Sequence, residues 1–233
     1  MEYRDRHIIV TGGTGALGSA VVNALVEAGA FCHVPYIDAA EAERSALRAH
    51  ERVELLGPLE LCDESAVAKF YAGIPDLWAS IHIAGGFAMS PVAQTSKTDL
   101  MKQLNMNFVT AFLCCGAAVR SMTQTGAGGR IVNIASRPAL EWRSGAGMGA
   151  YTASKAAVAA LTVALAEEVA RLGILVNAVA PSTMDTPANR KAMPHADPAG
   201  WAKVEDVAAT ILFLASPQNR VTRGAIVPAY GLS

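Results

Sequence analysis

Short apolar runs alternate with longer segments of helical spacing along the chain, and this alternation restricts the fold more than any other feature. The apolar runs predict strands at His7–Thr11, Phe31–Tyr36, Val53–Glu60, Trp78–Ala84, Arg130–Ala135, Ile174–Val179 and Ala225–Pro228. The helical spacing predicts helices at Leu17–Ala28, Ala39–His50, Glu64–Tyr71, Lys97–Met122, Ala150–Leu172 and Val204–Ala215. Strands that are apolar on both faces need helices on both faces. The pattern therefore predicts an α/β fold in which helices cover a parallel sheet of about seven strands.

Length and composition indicate one folded domain over residues 1–233. With 52% hydrophobic and 17% charged residues, the chain has enough apolar material for a large core, which excludes disorder. A net charge of -1 without a basic run argues against nucleic-acid binding. Glycine and proline interrupt the charge-free stretches, and the N-terminal residues lack a signal-peptide pattern. We therefore expect a cytoplasmic protein with neither a membrane nor a nucleic-acid partner.

The cysteines show no redox or metal-binding pattern. Cys32, Cys62, Cys114 and Cys115 form neither a CxxC pair nor a ligand spacing with the histidines. We expect four small buried side chains and no metal site.

Residues 182–201 form the one long segment without clear periodicity, and they include three prolines. Long irregular loops in compact domains usually serve a function. We therefore predict a functional role for this segment.

A glycine-rich turn follows the first predicted strand, where the sequence continues Gly12-Gly13-Thr14-Gly15-Ala16-Leu17-Gly18 into the first helix. Glycines at such a turn let the backbone approach a pyrophosphate. The helix N-terminus then offers free N–H groups and a partial positive charge to the anion. The position of the turn in a βαβ unit predicts a dinucleotide site, although its spacing differs from the GxGxxG of two-domain dehydrogenases.

The end of the second predicted strand bears on the choice of cofactor. An acidic residue ~20 positions beyond the glycines usually binds the adenosine ribose. Asp38 is the candidate for this role, and capping the helix that begins at Ala39 is its alternative role. No arginine or lysine lies between Phe31 and Ala40 to bind a 2′-phosphate. NAD(H) is therefore favoured, with NADP(H) as the alternative.

Four polar residues form the candidate reactive group. Tyr151 and Lys155 are four positions apart at the start of an alanine-rich helix, so they share one face. Ser136 follows the strand Arg130–Ala135, at the sheet edge where ligands bind in open α/β folds. Asn107 lies inside the helix Lys97–Met122, where the alternative role is that of a satisfied buried amide.

These residue types suit proton transfer beside a carbonyl. A tyrosine of pKa ~10 is a poor acid–base catalyst at neutral pH, and we expect the lysine ammonium, together with a cationic nicotinamide, to lower that pKa. A serine hydroxyl can polarise the substrate carbonyl while hydride arrives from the cofactor.

Together these motifs resemble those of the short-chain dehydrogenase/reductase superfamily, and the resemblance extends from His7 to Gly231. The matching segments are Thr11–Gly18, Ala84–Gly85, Asn107, Ser136, Tyr151–Lys155, Val176–Pro181 and Thr186. The resemblance implies a single-domain Rossmann-type, doubly wound fold. It also implies an NAD(P)(H)-dependent oxidoreductase that transfers hydride between nicotinamide and a small carbonyl or alcohol substrate. It further implies a homodimer or homotetramer formed through the two long helices, Lys97–Met122 and Ala150–Leu172, and it implies that residues 182–201 cover the substrate and the cofactor.

The resemblance also implies roles for individual residues. Tyr151 is the acid/base, Lys155 binds the nicotinamide ribose and tunes Tyr151, Ser136 stabilises the substrate, and Asn107 belongs to a proton relay. The residues expected at the cofactor are Gly12, Thr14, Gly15, Ala16, Leu17, Gly18, Asp38, Glu60, Leu61, Ala84, Gly85, Gly86, Tyr151, Lys155, Pro181, Ser182, Met184 and Thr186.

Some stretches resemble the dihydropteridine reductase branch of that superfamily, namely Gly15–Ser19, Ala84–Phe87 and Asp185–Asp197 followed by Trp201. Reduction of a quinonoid dihydropterin is therefore the alternative function. Ser136 favours a carbonyl, since pteridine reductases of that branch typically lack the serine. A non-catalytic dinucleotide sensor is less favoured, because Tyr151 and Lys155 are both present.

Large apolar residues in the predicted loops suggest the substrate pocket. The expected lining residues are Phe87, Met89, Trp142, Met148, Met193 and Trp201. Such walls favour a flat, apolar, cyclic substrate over a highly charged one. The alternative is that several of these residues only cover the core.

Overall fold

The computed structural model of the chain describes residues 2–232, and all of its paired strands run parallel. The strands are β1 (His7–Thr11), β2 (Phe31–Pro35), β3 (Val53–Leu56), β4 (Leu77–His82), β5 (Gly129–Ile134), β6 (Ile174–Pro181), β7 (Met184–Asp185), β8 (Ala202–Lys203) and β9 (Ile226–Ala229). Seven of them form the main sheet in the order β3-β2-β1-β4-β5-β6-β9, and β7 pairs with β8 separately. This order reverses at β1 and β4, which confirms the predicted doubly wound, Rossmann-type sheet.

Helices cover both faces of this sheet. They are α1 (Ala16–Glu27), α2 (Ala39–Arg44), α3 (Glu64–Ala72), α4 (Lys97–Leu104), α5 (Thr110–Thr125), α6 (Arg137–Leu140), α7 (Gly149–Glu168), α8 (Pro187–Ala192) and α9 (Val204–Ala215). Helices α1 and α9 pack together on one face, and α3, α5 and α7 pack on the other.

The side-chain alternation of β1 explains the two-sided core. Ile8 and Val10 pack with the α1 and α9 side, whereas Ile9 packs with the α3, α5 and α7 side. Successive strand residues point to opposite faces, so a strand buried on both sides has to be apolar at every position. This requirement is the physical origin of the continuous apolar runs in the sequence.

Several predicted boundaries differ from the observed ones. The third strand ends at Leu56 instead of Glu60, because Pro58 has no N–H to donate to the ladder. The second helix ends at Arg44, where Ser45 caps a short 3₁₀ turn, Ala46–Ala49. The long predicted helix 97–122 is two α-helices joined by a π-helical segment, Asn105–Val109. The predicted caps are confirmed: Asp63 caps α3, and Ser96 with Asp99 forms the capping box of α4.

Among the described helices, α7 alone has the length and apolar composition of a membrane-spanning helix. It carries the buried polar side chains of Ser154, Lys155 and Thr162, and it packs against β6. These contacts are those of a core helix in a globular domain, and this helix places the candidate catalytic residues at the edge of the sheet.

Candidate active site

A cleft of about 1040 Å³ opens where β1 and β4 end. Ten of the residues predicted at the cofactor line it: Gly12, Thr14, Gly15, Ala16, Leu17, Gly18, Glu60, Leu61, Ala84 and Gly85. They come from the glycine-rich turn and from the segments that follow β3 and β4. The structure thus brings distant parts of the sequence to one wall, and the volume reaches the upper end of the range of ligand pockets.

The glycine-rich turn leaves its backbone accessible to an anion. Gly12 has a φ of +67°, and a Cβ there would lie 2.7 Å from the Ala84 nitrogen, so only glycine fits. A Cβ at Gly18 would overlap the Gly12 carbonyl group. Helix α1 begins at Ala16 with no side-chain cap and no acidic residue in its first turn. Its free N–H groups therefore remain available to a pyrophosphate.

Asp38, the predicted ligand of the adenosine ribose, follows β2 at one end of the cleft without lining the cleft. Its carboxylate accepts a hydrogen bond from the Ala40 nitrogen at 2.9 Å, which confirms the helix-capping role. The residues that do line this end include Tyr36, Ile37 and Glu41. Glu41 was not predicted here. It lies in the first turn of α2, three positions after the N-cap residue Asp38. Residues three apart on a helix share a face, so the sequence could have indicated that Glu41 faces the same side as Asp38.

Tyr151, Lys155 and Ser136 converge where β5 meets α7. Lys155 is buried, and its Nζ donates a hydrogen bond to the Ile134 carbonyl oxygen at 2.8 Å. Ser136 lies two residues beyond the end of β5, and its Oγ is buried. Among the described residues, this Oγ makes no hydrogen bond of standard geometry, although it lies near enough to the Tyr151 phenol to lower its pKa. The serine hydroxyl is therefore available to a substrate oxygen.

The protein by itself does not lower the pKa of Tyr151. Burial raises this pKa, and the Ser136 hydroxyl opposes the shift only partly. The expected lowering of this pKa by the Lys155 ammonium together with a cationic nicotinamide stays a prediction. Burial also lowers the pKa of Lys155 to about 8, because desolvation disfavours the ammonium form.

Asn107 lies in the π-helical segment between α4 and α5, a type of distortion that is frequent at functional sites. Its Nδ2 donates to the Gly86 carbonyl, Gln103 Oε1 and Ser154 Oγ, and its Oδ1 accepts from the Gly86 nitrogen. Ser154 in turn donates to the Tyr151 carbonyl at 2.7 Å. The buried amide is satisfied, and it also links the loop after β4 to the turn that carries Tyr151.

Lys155 and Asn107 reach the floor of the cleft at Gly85. A Cβ at this position would lie 2.5 Å from Asn107 Oδ1 and 3.5 Å from Lys155 Nζ. The glycine therefore lets a ligand in the cleft approach both polar groups closely.

The segment 182–201 is more ordered than predicted. It contains β7, α8 and a 3₁₀ turn at Pro198–Gly200. An ion pair between Asp185 and Arg190 links β7 to α8. Thr186 caps α8, and Ser182 Oγ donates to the Tyr230 carbonyl. Like Gly86, Tyr151 and Lys155, the predicted cofactor residues Pro181, Ser182, Met184 and Thr186 do not line the 1040 Å³ cleft. Their contact with a cofactor stays a prediction.

A second cavity, of about 290 Å³, lies next to Tyr151. Phe87 and Met148 line it, and the Phe87 ring meets the Tyr151 ring edge-on with centroids 5.0 Å apart. The opposite wall is polar and comes from α4, which was not predicted to contribute. Two of the predicted pocket residues thus line a cavity, and their contact with a substrate stays a prediction.

Four predicted pocket residues, Met89, Trp142, Met193 and Trp201, line neither cavity. Trp142 is 75% exposed, and its indole N–H donates to the Ala139 carbonyl three residues earlier. Met193 caps the C-terminus of α8, and Trp201 precedes β8. These side chains stay in the surrounding loops. Loop composition alone did not indicate that they lie outside both cavities.

Cys32, Cys114 and Cys115 are buried and free, as predicted, whereas Cys62 is only half-buried because it lines the cleft. No cluster of three metal-ligating side chains occurs in residues 2–232.

Comparisons with known proteins agree with this geometry. The sequence model of the family described as short chain dehydrogenase matches residues 6–197. Galactitol 2-dehydrogenase of Rhizobium johnstonii is 34% identical over 94% of this chain and 91% of its own length. The BbsD subunit of (2S)-[(R)-hydroxy(phenyl)methyl]succinyl-CoA dehydrogenase from Thauera aromatica is 30% identical over 99% and 97%. The solved structure of ElxO with NADP bound is 25% identical, with a TM-score of 0.89 over 97% of this chain and 98% of that one.

Proposed function

This chain belongs to the short-chain dehydrogenase family and is an NAD(P)-dependent oxidoreductase, and from that premise we propose that it interconverts a small carbonyl compound and the corresponding alcohol, with NAD(H) as the preferred cofactor. The observation that carries the proposal is the convergence of Tyr151, Ser136 and Lys155 beside the cleft. The buried Ser136 hydroxyl makes no hydrogen bond of standard geometry among the described residues, so it can donate to a carbonyl oxygen.

The residues present fit a nicotinamide dinucleotide. The glycine-rich turn and the uncapped N-terminus of α1 suit its pyrophosphate, and Gly85 leaves room above Lys155 Nζ. When bound, the cofactor supplies or accepts the hydride.

Each catalytic side chain then has a distinct task. Ser136 Oγ donates a hydrogen bond to the substrate oxygen and holds it next to the Tyr151 hydroxyl. Tyr151 gives its proton to that oxygen during reduction and takes one during oxidation. Lys155 lies one helical turn beyond Tyr151, where its ammonium would stabilise a phenolate transiently formed during the reaction.

The preference for NAD(H) rests on the adenosine end of the cleft. Glu41 lines this end, and no arginine or lysine occurs between Phe31 and Ala40. A carboxylate there would accept hydrogen bonds from ribose hydroxyls and repel a 2′-phosphate. The NADP bound to ElxO is a property of that protein.

The test is a panel of ketones, alcohols and quinonoid dihydropterins assayed with NADH, NAD⁺, NADPH and NADP⁺. We expect turnover of a ketone–alcohol pair with NAD(H). Turnover of the dihydropterin alone would contradict the proposal and favour the pterin alternative.

We also propose a homodimer or homotetramer located in the cytoplasm. Helices α5 and α7 leave Phe112 and Val163 about half exposed, and such faces suit helix packing between copies. Light scattering of the purified protein would show a monomer if this proposal is wrong.

A further inference from the structure

The second cavity, next to Tyr151, has one apolar and one polar wall. Phe87 and Met148 form the side near Tyr151, and Asp99, Lys102 and Gln103 form the side contributed by α4. Its volume of about 290 Å³ lies at the lower limit of ligand pockets, which span roughly 300–1000 Å³. The cavity therefore suits a short molecule with polar substituents and is too small for a multi-ring substrate.

Gln103 is the residue that points most clearly to a ligand. Its side chain is 4% exposed, and its Oε1 accepts a hydrogen bond from Asn107 Nδ2 at 3.3 Å. Among the described residues, no acceptor is found for its Nε2, although the residue lines the cavity. These amide N–H groups are therefore free to donate to an acceptor oxygen bound in the cavity.

The charges on this wall indicate a neutral ligand. Lys102 provides donors, and the Asp99 carboxylate provides an acceptor three residues earlier on the same helix. The capping hydrogen bonds to Ser96 use only Asp99 Oδ2, which leaves Oδ1 for another donor. A hydroxyl both donates and accepts, so adjacent hydroxyls match this combination of groups. A carboxylate substituent would be repelled by Asp99.

We propose that this cavity holds the hydroxylated end of a short sugar alcohol or hydroxy ketone, with Gln103 Nε2 donating to one of its oxygens. The inference rests on the proposed function, because it places the reacting carbon of the same molecule at Tyr151. Gln103 would then decide the preference for hydroxylated over unsubstituted substrates.

The experiment compares pairs of similar size on the holoenzyme: D-xylulose against 2-pentanone with NADH, and xylitol against 2-pentanol with NAD⁺. The variant Gln103→Glu keeps the oxygen that accepts from Asn107 and removes the amide donor. Gln124→Glu, on the exposed end of α5, is the matched control.

We expect kcat/KM of the wild type to be higher for the hydroxylated member of each pair. Gln103→Glu should reduce this preference about tenfold, consistent with the loss of one hydrogen bond to a substrate, and Gln124→Glu should retain it. The melting temperature of each variant reports whether the protein still folds. A wild type that turns over 2-pentanone at least as well as D-xylulose, or a folded Gln103→Glu variant with unchanged preference, would overturn the inference.

Calorimetric titration of xylitol into the NAD⁺ complex separates this inference from the proposed function. Xylitol binding that Gln103→Glu weakens, without turnover of any carbonyl or alcohol, would support the cavity assignment and contradict only the proposed function. Turnover of simple ketones without detectable xylitol binding would contradict only the cavity assignment. Neither binding nor turnover would contradict both.

Discussion

The Asn107 carboxamide holds Gly86 through a pair of hydrogen bonds, each 3.0 Å long, one donated by Gly86 and one accepted by it. This pair fixes the loop after β4 against the π-helical segment, directly between the cofactor cleft and the cavity next to Tyr151. The position of the loop, and with it that of Phe87, therefore depends on one side chain.

Replacing Asn107 by Asp keeps the acceptor for the Gly86 nitrogen and removes all three donated hydrogen bonds. We expect the variant to be destabilised by about 1–3 kcal/mol, since buried acceptors lose their donors, and to turn over more slowly. Urea unfolding and steady-state kinetics measure the two effects. Asn189→Asp, in α8, offers a comparison outside the catalytic residues. Wild-type stability and kcat in Asn107→Asp would contradict the positioning role.

Tyr151→Phe removes the ionisable hydroxyl and keeps the ring that packs against Phe87. We expect kcat to fall by about 10²–10⁴-fold, the usual contribution of an acid–base group, while NADH binds as before. Single-turnover kinetics and fluorescence titration of NADH provide the two measurements. An unchanged kcat on the best substrate would refute the assignment of Tyr151.

Ser136→Ala removes a buried hydroxyl that makes no standard hydrogen bond among the described residues, so the fold loses little. We expect kcat/KM on a ketone to fall by about 10²-fold, as for loss of one oxyanion donor. Ser144→Ala, in the following exposed turn, should retain full activity. Efficient dihydropterin reduction by both the wild type and Ser136→Ala would instead favour the pterin alternative.

Glu41→Arg places a cation at the adenosine end of the cleft. We expect the wild type to bind NADH more tightly than NADPH, and the variant to shift the ratio of the two dissociation constants about tenfold toward NADPH. Glu43→Arg is the control, because Glu43 lies on the same helix without lining the cleft. Calorimetric titration with both cofactors decides between the outcomes, and tighter NADPH binding by the wild type would contradict the NAD(H) preference.

His82 makes stability depend on pH. Burial lowers its pKa from 6.5 to about 4, although the hydrogen bond to Asn133 opposes this shift. The unfolded chain therefore takes up a proton that the folded protein does not. The contribution of the neutral His82 to the free energy of unfolding is complete above about pH 6.5. It is lost as the pH falls toward about 4, and its magnitude is on the order of 3 kcal/mol.

Unfolding free energies of the wild type and His82→Asn between pH 4 and pH 7.5 measure this contribution. The variant should show the smaller dependence on pH. His195→Asn, which alters an exposed histidine, should follow the wild type. If the unfolding free energy of the wild type and of His82→Asn changed equally with pH, a group other than His82 would be responsible for the pH dependence.

Much of the cofactor cleft could be predicted from local sequence, because its parts are backbone features that residue type determines. The glycines of Gly12–Gly18 permit close approach to the backbone, and each strand must be apolar to be buried on both faces. The carboxyl ends of parallel strands meet at one edge, so strand order predicts where the cleft lies, whereas the individual lining residues were predicted largely from the family resemblance.

The walls formed by side chains depended on tertiary structure. Asp38 turns toward the start of its own helix and leaves Glu41 at the cleft, and Trp142 bonds to its own turn instead of reaching the cavity. Gln103 lines the second cavity together with Gly86 and with Met106 of the π-helical segment, which lie elsewhere in the chain or beyond the end of α4. Sequence by itself determined where the backbone can bind a dinucleotide. Which side chains face the substrate was decided by packing between elements far apart in the chain, since the direction of a side chain depends on neighbours that local sequence does not specify.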